Sequence, residues 1–372
     1  MKTRILPLLF VCAAPLWAGA IETKTAKPRV EVCFVLDTTG SMGGLIEGAK
    51  QKIWSIANEI IGAKPTPELK VGLVAYRDRG DEYIVKSFPL TDDIDATYAH
   101  LTEIKAQGGG DTPESVNEAL AEAVNKMAWS EDRSVLKIIF LVGDAPPHMD
   151  YKEGPKYPEV CREAVKKDLL INTIQCGSAQ DTTLVWKEIA KLSEGSFAAI
   201  AQTGNVAVIE TPVDAKLAEL NRKIGATLIP YGSVSVQNEV LSKQARSVYA
   251  SAPAAADRLS FNAATRKGVQ GGGELLGAIA DGSVKLDAID AAKLPAEMQK
   301  LGKDELKARI DASQKERTEL QNQVEALAKE RAAYLQAENK RLAAAGKGDS
   351  FDEKVAEILR TEAAKKGIKY SR

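Results

Sequence analysis

Histidine is nearly missing from this sequence, with two residues in 372. That scarcity leaves little material for imidazole acid–base catalysis or a histidine-rich metal centre. Neither Thr39 nor Ser41 has an identifiable activating base, so the expectation is a binding protein rather than an enzyme. Excess charge of one sign is also missing, since 50 basic side chains face 51 acidic ones. Such a balance offers no positive field to attract nucleic acid or anionic lipid. Cysteine is scarce at four, too few for a disulfide framework in a chain of this length. No apolar run reaches the roughly 20 residues that a membrane-spanning helix needs. What remains is ordinary for a globular protein with a sizeable core: 44% hydrophobic and 27% charged residues.

The longest apolar run, Ile5 to Trp17, follows Lys2 and Arg4 and precedes Ala18-Gly19-Ala20. This reads as a secretory signal peptide over residues 1–20, cleaved after Ala20, and predicts a secreted or periplasmic protein. Removing Lys2 and Arg4 leaves 48 basic against 51 acidic side chains, a net charge of −3. It also leaves three cysteines, Cys33, Cys161 and Cys176. An odd number favours buried thiols, although a Cys161–Cys176 bridge is chemically allowed outside the cytoplasm.

From residue 29 to about 226, short β-branched runs alternate with amphipathic stretches, the pattern of a doubly wound, mostly parallel α/β sheet. Six strands are predicted at 29–36, 70–76, 82–88, 135–142, 169–176 and 196–201, with helices at 43–62, 93–106, 113–129, 156–167, 182–193 and 205–226. The short Gly80-Asp81 connection suits an antiparallel hairpin at one edge. From Ile229 to residue 372 strand signals fade and a second, α-helical region is expected. Its longest element should run from an Asp304 N-cap to about Ala345, roughly 60 Å at the standard rise. Leu306, Ile310, Leu320, Val324, Leu327 and Tyr334 follow coiled-coil spacing, but Ser313, Arg317 and Arg331 interrupt the seam. An imperfect seam favours an antiparallel intramolecular helix pair. Ser350-Phe351-Asp352-Glu353 supplies a capping box for a last helix that ends at Gly367.

Three segments should meet at the carboxyl end of such a sheet, where the strand order reverses. Asp37-Thr38-Thr39-Gly40-Ser41 follows the first strand, Gly108-Gly109-Gly110-Asp111-Thr112-Pro113-Glu114 precedes a helix, and Gly143-Asp144 follows the fourth strand. Asp37, Thr39 and Ser41 place a carboxylate and two hydroxyls around one point, oxygen donors of the kind Mg²⁺ accepts. These donors do not fill an octahedron, so water or an outside group must complete it. On these motifs the chain, over about residues 29 to 226, resembles a von Willebrand factor type A (VWA) domain carrying a metal-ion-dependent adhesion site (MIDAS). The resemblance implies a Rossmann-like fold and a bound Mg²⁺ or Mn²⁺ held by Asp37, Thr39, Ser41, Asp144 and either Asp111 or Thr112. It also implies a protein partner whose acidic side chain commonly completes the metal's shell. Similar Gly-Gly-Asp-x-Pro-Glu loops, together with segments like Tyr76-Arg77-Asp78, occur in a branch of the family found in secreted proteins. Thr39 stands where the family pattern has serine, and this keeps a hydroxyl.

The expectation is therefore a secreted or periplasmic module that binds a protein through a divalent cation. A metal-assisted envelope hydrolase and a structural envelope protein acting through its helical region are the alternatives. Arg79-Gly80-Asp81 is explained by a turn rather than by receptor recognition. His148 is expected to be a solvated loop residue, since no second nitrogen ligand lies near it in sequence.

Overall fold

The computed structural model describes residues 27–204, 206, 208–345 and 350–370. The expected signal peptide lies outside them. Six strands form one sheet: β1 (Arg29–Asp37), β2 (Glu68–Tyr76), β3 (Val85–Thr91), β4 (Leu136–Gly143), β5 (Leu169–Cys176) and β6 (Phe197–Ile200). Their order is β3-β2-β1-β4-β5-β6. Every pairing is parallel except β2 with β3, the antiparallel edge expected from the short connection. The order reverses between β1 and β4, which places the ends of those two strands at the switch point.

Side chains alternate across this sheet, as the two-residue period requires. Val30, Val32, Phe34 and Leu36 of β1 pack with α1 (Gly43–Ile61) and α2 (Ile94–Glu103) on one face. Cys33 and Val35 face α3 (Val116–Asn125), α4 (Tyr157–Lys166) and α5 (Gln180–Leu192) on the other. Because both faces are covered, β1 and β4 are apolar almost throughout. Cys33, Cys161 and Cys176 are buried free thiols, so the Cys161–Cys176 bridge is not formed.

The sixth predicted helix begins later than expected, as α6 (Asp214–Ala226). Pro212 disfavours helical geometry at Thr211, and the Thr211 amide instead donates to Asp214 Oδ2 at 2.7 Å. Beyond it come α7 (Val234–Tyr249), α8 (Ala252–Ala264), α9 (Leu275–Ala280), the long α10 (Lys303–Ala344) and α11 (Phe351–Lys365). Helix α10 is capped by Gly302, whose amide donates to Glu305 at 3.0 Å, rather than by Asp304, which sits in the first turn.

The residues that interrupt the α10 seam are themselves buried. Arg317 donates to both carboxylate oxygens of Glu274, at 2.9 and 3.1 Å, and Arg331 bridges Asp214 and Asp257, each at 2.6 Å. Leu320 and Val324 pack with α6 and α8, so the seam docks across two helices instead of pairing with one. Core packing also crosses residue 226. Phe261 of α8 and Phe351, Val355, Ile358 and Leu359 of α11 belong to the same apolar cluster as β1, and Arg258 of α8 makes a buried two-bond ion pair with Asp95 of α2 at 2.6 and 2.9 Å. Among the described residues, no helix is long and apolar enough to cross a membrane.

Candidate metal centre

Strand β1 ends on Asp37, which is fully buried, and the Thr39 and Ser41 that follow it line a cleft of about 530 Å³. Its Oδ1 accepts two hydrogen bonds from Thr39, from the amide at 2.9 Å and the hydroxyl at 2.6 Å. The Thr39 hydroxyl lies 3.3 Å from that of Ser41, so the tight turn gathers all three oxygens as the sequence predicts. Asp37 Oδ2 has no hydrogen-bond partner among the described residues. Asp144 follows directly on β4 and lies close enough to Asp37 to raise its carboxyl. Its carboxylate is held by Gln202 Nε2 at 2.5 Å, and its backbone carbonyl accepts from the Thr182 hydroxyl at 3.1 Å. Asp111 and Thr112 both line the cleft, exposed at its rim on the glycine-rich loop.

Two glycines make this convergence feasible. Gly109 has φ +75°, and a Cβ there would meet Thr39 Cβ at 2.9 Å. At Gly143 a Cβ would fall 2.5 Å from the Tyr76 hydroxyl and 2.9 Å from Asp37 Cβ. The loop is tied down by Asp81 Oδ2, which accepts from the Gly109 amide at 3.1 Å and the Asp78 amide at 3.2 Å. Asp81 of the Arg-Gly-Asp turn thus faces inward, and Arg79 pairs with Glu118 at 2.9 Å.

The electrostatics of the cleft are those of carboxylates crowded out of water. Burial pushes the Asp37 carboxyl up to about 7, with Asp144 raising it further against the two Thr39 bonds. Glu114 is pushed up to about 9, first by burial and then by Asp37, Asp78, Asp81 and Asp144. Its Oε2 and the Tyr76 hydroxyl are also buried without hydrogen-bond partners among the described residues. An orphaned carboxylate oxygen beside a second carboxylate, with hydroxyls around them, is a donor set a hard divalent cation fits. Asp37, Thr39, Ser41 and Asp144 would hold it, with Thr112 or Asp111 from the loop.

Sequence reasoning did not assign Glu114, Tyr76, Asp78 or Asp81 to the site. The Gly-Gly-Asp-x-Pro-Glu loop carried Glu114, the Tyr-Arg-Asp segment carried Tyr76 and Asp78, and Asp81 lay in the Arg-Gly-Asp turn. His148 differs most from expectation: it is 4% exposed, stacked on Tyr151 with ring centroids 4.0 Å apart. Its Nδ1 lies 2.7 Å from Asp150 Oδ1 and its Nε2 3.3 Å from Asp78 Oδ2. It is buried because the loop after β4 folds back against α3: the His148 amide donates to the Glu114 carbonyl, and Asn117 donates to the His148 carbonyl.

Residues 31–212 match the family model described as von Willebrand factor A domain. Over 120 residues the chain is 37% identical to von Willebrand factor A domain-containing protein 7 of Rattus norvegicus, covering 32% of this chain. The match spans 12% of that relative's length. Among solved structures, proximal thread matrix protein 1 from the mussel byssus with a zinc-occupied MIDAS motif aligns at TM-score 0.35 and 15% identity, covering 48% of this chain and 45% of that one. The SpRpn10 VWA domain aligns at TM-score 0.36 and 14% identity, covering 50% of this chain and all 100% of that one.

Proposed function

We propose, from the match of residues 31–212 to the von Willebrand factor A domain model, that this protein is a secreted or periplasmic module that captures a protein partner through a divalent cation, Mg²⁺ or Mn²⁺. The observation that carries the reading is the buried Asp37 Oδ2, left without a hydrogen-bond partner among the described residues and set beside Asp144. When bound, the cation supplies an electrophilic centre with an open position for an outside oxygen.

The chain's own groups set what that position favours. Asp37 and Asp144 are the carboxylates that would face the cation, and in the metal-free cleft burial and these neighbours push Glu114 up to about 9. Thr39 and Ser41 add neutral oxygens. An incoming Asp or Glu would supply the remaining oxygen of the cation's shell. Exposed Ser41 and Thr112 at the rim leave the approach open.

Parallel pull-downs from a cell-envelope extract, in Mg²⁺ and in EDTA with wild type and Asp37→Ala, test the reading. A protein retained only by wild type in Mg²⁺ is the expected result. Equal retention in EDTA, or by Asp37→Ala, would refute metal-mediated capture.

A further inference from the structure

We propose that Asp78, Asp111 and His148 form a second cation site, suited to Zn²⁺, beside the one at Asp37, which is then left with Thr112 as its loop ligand. One ligand atom from each of these residues lies within 4.8 Å of the others. The imidazole is what separates this cluster from a patch of acids: His148 Nε2 is buried, makes no hydrogen bond among the described residues, and faces the Asp78 carboxylate.

The two ring nitrogens are placed differently. Nδ1 is in close hydrogen-bond range of Asp150 Oδ1 at 2.7 Å, whereas Nε2 approaches Asp78 Oδ2 at 3.3 Å without the alignment of a hydrogen bond. A proton on Nδ1 alone satisfies Asp150 and turns the Nε2 lone pair toward the two other carboxylates. This is the carboxylate–histidine–metal arrangement, in which the outer acid fixes the tautomer and orientation of a ligand. Two ligands of tetrahedral Zn²⁺ with bonds near 2.0–2.1 Å sit about 3.3 Å apart, the separation already present between Nε2 and Oδ2.

The surroundings hold the pair in place. Tyr151 stacks on the imidazole at 10° between ring planes and its hydroxyl donates to Asp78 at 3.1 Å, while Ser115 donates to Asp78 Oδ1 at 2.8 Å. Arg79 covers Tyr151 at 3.8 Å from the ring centroid. Asp111, exposed on the glycine-rich loop, is the adjustable third ligand and leaves a fourth position for water. Nitrogen and carboxylate donors in this number favour Zn²⁺ over Mg²⁺, which prefers six oxygens.

Co²⁺ is the probe for the experiment, titrated into the full chain in saturating Mg²⁺ and followed by its visible absorption, with Zn²⁺ as competitor. Wild type is expected to take up one equivalent, displaced by Zn²⁺, and His148→Gln to weaken uptake at least a hundredfold. Asp150→Asn, which leaves all three ligands in place, should weaken it about ten- to a hundredfold. Asp37→Asn should keep the Co²⁺ signal while losing its Mg²⁺ response, so failure of the first site and of the second are told apart. No uptake by wild type, uptake unchanged in His148→Gln, or loss in Asp37→Asn would each overturn the proposal.

Discussion

Removing the charge at Asp37 should stabilise the metal-free protein, and the effect should depend on pH. In the fold its carboxyl is raised from 3.8 to about 7, chiefly by burial. The folded state therefore holds a proton that the unfolded chain gives up. The stability this lends is complete below about pH 4 and is lost as pH rises through about 7. At about 1.36 kcal/mol per pH unit between the two values, the loss approaches about 4 kcal/mol by about pH 8. Asp37→Asn keeps the shape and removes the charge, so in EDTA it should melt above wild type at about pH 8, by about 5–10 °C on the usual size scaling, and level with it near pH 4. Mg²⁺ supplies to wild type what the proton supplies at low pH: at a hundredfold excess over its dissociation constant it should restore about 2.7 kcal/mol. The variant should not respond. Scanning calorimetry in EDTA and in Mg²⁺ across this range decides the matter. A wild-type melting temperature flat with pH in EDTA, or an Asp37→Asn variant less stable than wild type at about pH 8, would refute the reasoning.

What was legible in the sequence follows from how local each signal is. Strands β1 and β4 are buried on both faces and read as unbroken apolar runs, and the Asp37-x-Thr39-x-Ser41 turn carries three donors within five residues. Such features need no distant partner to be recognised. His148 is the opposite case, since Asp78 and Tyr151 decide its environment and Asp78 lies 70 positions away. Arg317 and Arg331 looked like faults in a seam because their carboxylates, on Glu274, Asp214 and Asp257, belong to other elements. The last helix, α11, was visible from its capping box, but a cap does not name the surface the helix meets. Glu114 lay in a quoted motif, yet its raised pKa depends on burial first and then on Asp37, Asp78, Asp81 and Asp144 arriving from three other segments.

Gly109→Ala forces a Cβ into Thr39 and Glu114 at a positive φ, and should raise the midpoint of Mg²⁺-dependent thermal stabilisation on the order of tenfold. Arg331→Ala leaves Asp214 and Asp257 buried without their cation; urea unfolding should show a loss of about 3–5 kcal/mol. N-terminal sequencing of the exported protein should begin at Ile21, and a mature chain retaining residues 1–20 would contradict export by cleavage. Deleting residues 350–372 should abolish the cooperative fold of the sheet as well as the last helix. Phe351, Val355 and Leu359 are each 1% exposed or less and fill the face over Phe34. Burial of a large apolar side chain is worth about 1.5–3 kcal/mol; with Ile358 and Ile368 also lost, the deletion removes about as much as the 5–15 kcal/mol that holds a typical domain together. A truncated chain that melts as one transition at the wild-type temperature would show that the sheet completes its core without α11.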